Sequence, residues 1–300
     1  MQAEYSAPEV EQNEKAFREN EQDMSSQWYD IEEILPDVLR INDGDLDTSY
    51  VLRGTRRTGV IDTGMGIGDL ASVVARLHPA KPLVINTHAH PDHWQGNHQF
   101  EETSMGQEEW RMVQGWIKAM AARPKSDEQG HSPLDFLKPK RPFPPEFNRA
   151  DYQWFRVIEP TRLWADGDII DLGGFRLEVI LAPAHTRGSI CLLERERRLL
   201  FTGDTALYGT IWLHLEDSTT PDVAFATYEK LASYAPLVSY VLPAHGTRIL
   251  PSEFLTELNA NAHRVKKGEV TPRFMKTFAG DGWYYDFGGY GLLFAQQIAS

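Results

Sequence analysis

A single cysteine in 300 residues, Cys191, excludes an internal disulfide, and its place in the apolar run Ile190-Cys191-Leu192-Leu193 reads as an inert core position. No uninterrupted apolar run is long enough to cross a bilayer. The first residues also lack the basic-then-apolar order of a signal peptide. The expectation is a soluble, cytoplasmic protein with no membrane partner. Positive charge is scarce as well: 30 Lys and Arg stand against 43 Asp and Glu, a formal net charge of −13. That balance disfavours nucleic-acid backbones and anionic membrane surfaces as partners, leaving a small molecule. The only marked basic cluster, Lys138-Pro139-Lys140-Arg141, reads as a solvated loop, with attraction of an anionic substrate as the alternative. What the chain does have is 41% hydrophobic and 11% aromatic residues, ample for a sizeable core. The oligomeric state is left open, a homodimer included.

Histidine and aspartate then stand out by their spacing. Thr87-His88-Ala89-His90-Pro91-Asp92-His93 follows the apolar run Pro82-Leu83-Val84-Ile85. His185, Asp204 and His245 come later, each just past a short apolar stretch that reads as a strand. Residues two apart in an extended segment point the same way, so His88 and His90 can grip one ion from one side. Pro91 suits the first turn of a helix, where its missing N–H is not needed. Asp92 and His93 then project from that turn, displaced enough to reach a second ion. Imidazole nitrogen with carboxylate oxygen suits zinc best, with iron, manganese or nickel as alternatives.

Residues 1–26 are polar and acidic and read as an N-terminal arm; residues 27–300 read as one domain. Asn42-Asp43-Gly44 and Arg53-Gly54 mark hairpin turns. Helical spacing runs from Leu70 to Leu77, from about Glu108 to Ala122, from Val223 to Ala235 and from near Ser252 to Lys267. Strands are expected over Ile169–Leu172, Phe175–Ala182, Ser189–Glu194, Leu199–Thr202 and Leu237–Leu242. The stretch from about Glu101 to Leu163 reads as an insertion. Its aromatics, Trp110, Trp116, Phe136, Phe143, Phe147, Trp154 and Phe155, either wall an apolar pocket above the metals or pack the insertion onto the body. Ile61-Asp62-Thr63-Gly64-Met65-Gly66 opens like a dinucleotide fingerprint, but the third glycine of that motif would fall on Asp69.

On Ile61-Asp62-Thr63-Gly64, the His/Asp hexad, His185, Gly203-Asp204 and Pro243-Ala244-His245-Gly246, the chain resembles the metallo-β-lactamase-fold hydrolases, glyoxalase II and lactonase types among them, from about Trp28 onward. The resemblance implies an α/β four-layer αββα sandwich with two divalent metal ions at one edge. It implies that His88, His90 and His185 hold the first ion, Asp92, His93 and His245 the second, with Asp204 bridging. It also implies that Asp62 supports the ligands from outside. Arg187 departs from the proline that many relatives carry before the glycine here at Gly188.

The chemistry expected of such a set is hydrolysis by a hydroxide shared between two ions, generated near neutral pH. Asp92 is expected to orient it. The leaving group would take its proton from Asp92, water, or Tyr208 or His214, which follow Asp204 closely and are also candidates to contact substrate. The lactonases that this family includes carry a tyrosine shortly after the bridging aspartate, and Tyr208 falls one position late. A small ester or lactone is the favoured substrate. A glyoxalase II-like thioester or a phosphoester is the alternative, and a mononuclear-iron sulfur dioxygenase is the alternative from another class.

Overall fold

A computed structural model describes residues 28–121, 134 and 137–298. The arm read over residues 1–26 and Phe136 of the expected pocket wall lie outside the described residues.

The first sheet takes its strands in chain order: β1 (Tyr29–Leu35), β2 (Val38–Asp43), β3 (Asp47–Arg53), β4 (Thr58–Ile61), β5 (Pro82–Asn86), β6 (Thr103–Gly106) and β7 (Arg162–Trp164). The turn at Gly44 joins β2 to β3, as Asn42-Asp43-Gly44 predicts. Helix α1 (Leu70–Leu77) connects the parallel pair β4 and β5. The second sheet has the order β14 (Leu250–Pro251), β13 (Tyr240–Pro243), β11 (Leu199–Gly203), β10 (Ile190–Glu194), β9 (Arg176–Leu181) and β8 (Ile169–Asp171).

Strand alternation builds the layers. Leu83 and Ile85 of β5 turn inward with Tyr50, Leu52 and Ile61 and meet Leu177, Val179, Leu192, Phe201 and Leu242 of the second sheet. Val84 between them turns outward, with Val51 and Val60, onto Leu70, Val73 and Val74 of α1. On the far side, Cys191 and Leu193 of β10 pack with Leu200 against two helices, α4 (Pro221–Ser233) and α5 (Glu253–Lys266). Helix, sheet, sheet, helix is the expected αββα sandwich. Cys191 is a buried core thiol, its pKa pushed up to about 12 by burial.

Two features were not read from the sequence. Strand β6 and all but the last residue of β7 fall within the stretch 101–163, yet both belong to the first sheet. What leaves the sheet is the chain between them, which begins with helix α3 (Gln107–Ala121). The C-terminal chain also builds a four-stranded sheet, β12 (Thr210–Leu213), β17 (Gly291–Phe294), β16 (Gly280–Asp286) and β15 (Arg273–Thr277), whose Tyr285, Leu292 and Phe294 join the core under α4 and α5.

The strand directions place the site. β4 and β5 run parallel, β11 and β13 run parallel, and β9 runs with β11 because each is antiparallel to β10. Chain leaving the C-terminal ends of β5, β9, β11 and β13 carries His88, His185, Asp204 and His245 to one edge. The Tyr50 hydroxyl donates to the Pro243 carbonyl at 2.7 Å and the Thr48 N–H to the Ala244 carbonyl at 2.7 Å, tying the sheets together beside His245.

Candidate metal centre

Asp62 follows the end of β4 in the left-handed region at φ 60°. It accepts hydrogen bonds from the Thr87 N–H (2.8 Å), the Thr87 hydroxyl (2.7 Å) and His93 Nδ1 (3.1 Å). The hexad is thus anchored to the strand beside it, in the supporting role the resemblance implies for Asp62. Beyond Asn86 the chain bends at Thr87 and reaches His90, whose extended φ of −70° and ψ of 146° hand over to the short helix α2 (Pro91–Trp94) with proline in its first turn. Gly203, just before Asp204, has φ 52°, and a Cβ there would come within 2.6 Å of Thr87 Oγ1, so only glycine lets the Asp204 turn close on the hexad.

All seven sequence-predicted ligands meet at this edge. His88, His90 and His185 offer nitrogens within 4.8 Å of one another, and so do the donor atoms of Asp92, His93 and His245. Asp204 lies between the groups: its carboxylate is 3.6 Å from His185 Nε2, 3.7 Å from His93 Nε2 and 3.1 Å from His245 Nε2. Every ligand candidate comes from the end of a strand or the turn of α2, which is a rigid frame.

The hydrogen bonds show what the cluster is built to receive. His93 Nδ1 faces Asp62, His185 Nδ1 the Trp212 carbonyl at 2.8 Å, and His245 Nδ1 the Leu46 carbonyl at 2.9 Å. His90 Nε2 faces Asp217 at 2.8 Å. His88 Nδ1 faces Thr87 Oγ1 at 3.1 Å, and that hydroxyl gives its own proton to Asp62. Each imidazole therefore spends its N–H on an outer acceptor, which leaves the other nitrogen as a lone pair aimed inward. Nε2 of His88, Nε2 of His93 and Oδ1 of Asp204 are buried with no hydrogen-bond partner. Five inward lone pairs and two carboxylates form a donor set that fits divalent cations and little else.

Without a cation the carboxylates favour the protonated form of His93, so an ion that takes its inward nitrogen must displace a proton. Burial alone would depress His93, but the charges of Asp92 and Asp204 and the bond to Asp62 raise it to about 10. Burial and the neighbouring histidines hold His185 down at about 4. Burial would raise Asp204, yet the histidines around it keep its carboxyl well below the usual range.

A cavity of about 730 Å³ opens on this cluster. His90, Asp92, His185, Asp204 and His245 form its floor, with walls from Leu137, Trp154, Leu207, Trp212, Leu215 and Phe278. The expected pocket wall and the expected packing role are both present in the aromatics of the insertion. Trp154 lines the cavity, and Trp116 stacks on His90 with centroids 6.4 Å apart. Trp110 is buried with Val113 and Met105, whereas Phe143 and Phe147 stack together and onto Trp28. The C-terminal sheet supplies Trp212 and Phe278, a wall with no signal in the sequence motifs.

The two candidates after Asp204 are placed differently from the ligands. Tyr208 lines the cavity, but its hydroxyl rests against Gly289, where a Cβ would come within 1.9 Å of it. His214 is buried beside Thr277 and Gly280, with Nε2 3.3 Å from Thr277 Oγ1, and is not among the described residues lining the cavity. Sequence reasoning also missed Asp217, the partner of His90, and Glu109, whose buried carboxylate is pushed up to about 7 by burial against the opposing bond from the Ala89 N–H. A lone aspartate 127 positions from its histidine leaves no local spacing to read.

The family model for the metallo-beta-lactamase superfamily matches residues 43–245, which spans the first hairpin turn through the last histidine of the cluster. The chain belongs to that superfamily. It is 32% identical over 213 residues to the acyl-coenzyme A thioesterase MBLAC2 of Gallus gallus, covering 67% of this chain and 73% of that protein. It is 25% identical over 251 residues to the atrochrysone carboxyl ACP thioesterase AgnL7 of Paecilomyces divaricatus, covering 79% of this chain and 65% of that protein. The metallo-beta-lactamase from Pontibacter korlensis shares the fold at a TM-score of 0.56 and 15% identity, covering 78% of this chain and 99% of the other. As a member of this superfamily, the chain is a metal-dependent hydrolase. Among the described residues, no helix is long and apolar enough to cross a membrane.

Proposed function

We propose that the protein hydrolyses acyl thioesters of an anionic, phosphate-bearing carrier at a two-metal site. His88, His90 and His185 would hold one ion, Asp92, His93 and His245 the other, with Asp204 shared. Ions bound there would supply an activated water and a Lewis acid for the acyl oxygen.

The chain's own residues do the rest. Asp62, Asp217, Trp212 and Leu46 hold the imidazoles in the tautomers that present lone pairs inward. Trp154, Leu207, Trp212, Leu215 and Phe278 exclude water from the approach and accept an apolar acyl chain. Lys138 lines the cavity and Arg248 sits 4.3 Å over the Tyr208 ring; neither makes an ion pair with a described residue. In a chain of net charge −13, a lysine lining the cavity and an arginine stacked on the cavity-lining Tyr208 favour a negatively charged substrate end.

The single observation that carries the choice of bond is the placement of the proton donors. A thiol has a pKa near ~8.5 and leaves as thiolate without help, whereas an alkoxide leaving group needs a proton. The Tyr208 hydroxyl is turned onto Gly289 and His214 is withdrawn behind Trp212. With neither of these two acids in place, an alkoxide would depend on Asp92 or water for its proton, which favours the thioester over the ester or lactone. The thioesterases among its relatives support the same reading.

The test is a matched panel on metal-loaded protein: a coenzyme A thioester, the corresponding alkyl ester, and a lactone of similar size. Thioester turnover should exceed that of either oxygen compound at least about tenfold in kcat/KM. Preference for the lactone would return the favoured substrate to the oxygen esters.

A further inference from the structure

Helix α3 leaves the first sheet and starts the chain that walls the cavity, yet its first turn carries a fully buried carboxylate. Glu109 has no solvent exposure. Its Oε1 accepts the Ala89 N–H at 2.8 Å, inside the hexad between His88 and His90. Its Oε2 accepts the Thr186 hydroxyl at 2.9 Å, one residue past His185. The Thr186 oxygen is 2.6 Å from Ser189 Oγ, and the Ser189 oxygen takes the Thr186 N–H at 3.1 Å, which closes the turn after His185. Because the Thr186 proton goes to Glu109, the Ser189 hydroxyl donates to Thr186.

A second contact locks the same junction. A Cβ on Gly188 would come within 2.2 Å of the Glu109 nitrogen and 2.5 Å of its Cα. The backbone of α3 therefore lies directly on the turn that carries His185. Besides Glu109, the Ile190 N–H donates to the Thr87 carbonyl at 2.9 Å, and the facing nitrogens of His90 and His185 lie 2.8 Å apart.

We infer that Glu109 is a positioning residue: it fixes the hexad and the His185 turn at the separation at which His88, His90 and His185 converge. This rests on the reading of those three histidines as one metal-holding group. The helix of the insertion is then part of the metal centre, and the group containing Asp92, His93 and His245, which Glu109 does not touch, is independent of it. Burying a carboxylate is costly unless both oxygens are satisfied, and here each has a donor. Removing the carboxylate leaves the Ala89 N–H and the Thr186 hydroxyl without their acceptor and loosens the His185 turn against the hexad, with the Ile190-to-Thr87 backbone bond remaining.

The experiment is stepwise removal of zinc by a competing chelator from metal-loaded wild type, Glu109→Ala, Glu109→Gln, Thr186→Val and His185→Ala, with metal content read directly. In Glu109→Ala one of the two ions should be lost at on the order of 10–100-fold lower chelator strength, the other unchanged, as for loss of an outer partner of a metal ligand. Glu109→Gln can still accept from Ala89 and donate to Thr186, so it should stay near wild type. Thr186→Val, which leaves the helix and its packing intact, should move the same ion in the same direction. That variant decides the matter if Glu109→Ala does not fold. In the His185→Ala background, where that ion is already gone, Glu109→Ala should add nothing. Equal weakening of both ions, an additive effect in the His185→Ala background, or no effect of Thr186→Val would overturn the inference. Wild type holding no zinc would instead overturn the metal reading and the inference with it.

Discussion

His90 Nε2 and Asp217 Oδ2 lie 2.8 Å apart, and that contact fixes what the other nitrogen of His90 can do. With its N–H given to Asp217, His90 directs the Nδ1 lone pair at Nε2 of His185, 2.8 Å away. His185 has already given its own N–H to the Trp212 carbonyl. Two lone pairs at that separation repel unless a cation lies between their directions. The pair is therefore a preorganised half of a coordination shell. Asp217→Ala should lower metal affinity or activity on the order of 10–100-fold with the fold retained, the usual cost of losing such an outer partner. Metal analysis beside circular dichroism checks it, and unchanged metal retention would remove Asp217 from the account.

The cavity wall predicts a dependence on acyl length. Each methylene buried against Trp154, Trp212 and Phe278 is worth about 0.8 kcal/mol, or about fourfold in kcat/KM, until the space is filled. Phe278 is 75% exposed on its hairpin and packs against Trp212 with centroids 5.3 Å apart. Trp154→Ala and Phe278→Ala should flatten the rise with chain length, mainly through KM, and leave the shortest substrates unchanged. A profile that keeps its slope in both variants would place the acyl chain elsewhere.

Lys138 and Arg248 predict a dependence on the carrier. The charge reversals Lys138→Glu and Arg248→Glu together should cost on the order of tenfold in kcat/KM for a coenzyme A thioester, with a weaker salt dependence. The same acyl group on N-acetylcysteamine, which has no phosphate, should be turned over equally by variant and wild type. Equal losses on both substrates would mean that these side chains do not read the carrier.

Asp43 predicts a pH dependence of stability. It is buried at the end of β2, and burial pushes its carboxyl from an ordinary 3.8 up to about 7. The folded chain then binds this proton more tightly than the unfolded chain, so stability from this group is present at low pH and falls as pH rises from about 4 to about 7. In Asp43→Asn, which cannot ionise, the fall is absent. Unfolding free energies of variant against wild type should diverge between pH 5.5 and 7 by up to about 1.4 kcal/mol per pH unit and run parallel above that. Parallel curves throughout would mean that Asp43 is charged in the fold at every pH tested.

Much of the site was legible because its ligands sit next to their strands. His88 through His93 carry their own geometry, and His185, Asp204 and His245 each end an apolar run that forms a strand. Helix α1 falls on Leu70–Leu77 as its spacing predicts. What the sequence hid depends on contacts between distant segments. Glu109 looks like any acidic residue in a helix's first turn until α3 is laid against Gly188. β6 is a four-residue buried strand, Thr-Ser-Met-Gly, with no alternation to betray it. β15 is mostly exposed, with Arg, Lys and Thr in its five residues, and is recognisable as a strand only by its pairing with β16. Tyr208 and His214 were singled out by distance along the chain from Asp204, but side-chain direction decides what each can touch, and Gly289 and Thr277 take them.

The most direct test of the whole account is thiol release from an acyl-coenzyme A thioester as zinc is returned to protein stripped by a chelator. Activity should be absent without metal, rise with added zinc and level off at two equivalents per chain. Thiol release that ignores the metal, or that is complete at one equivalent, would contradict the two-metal thioesterase outright.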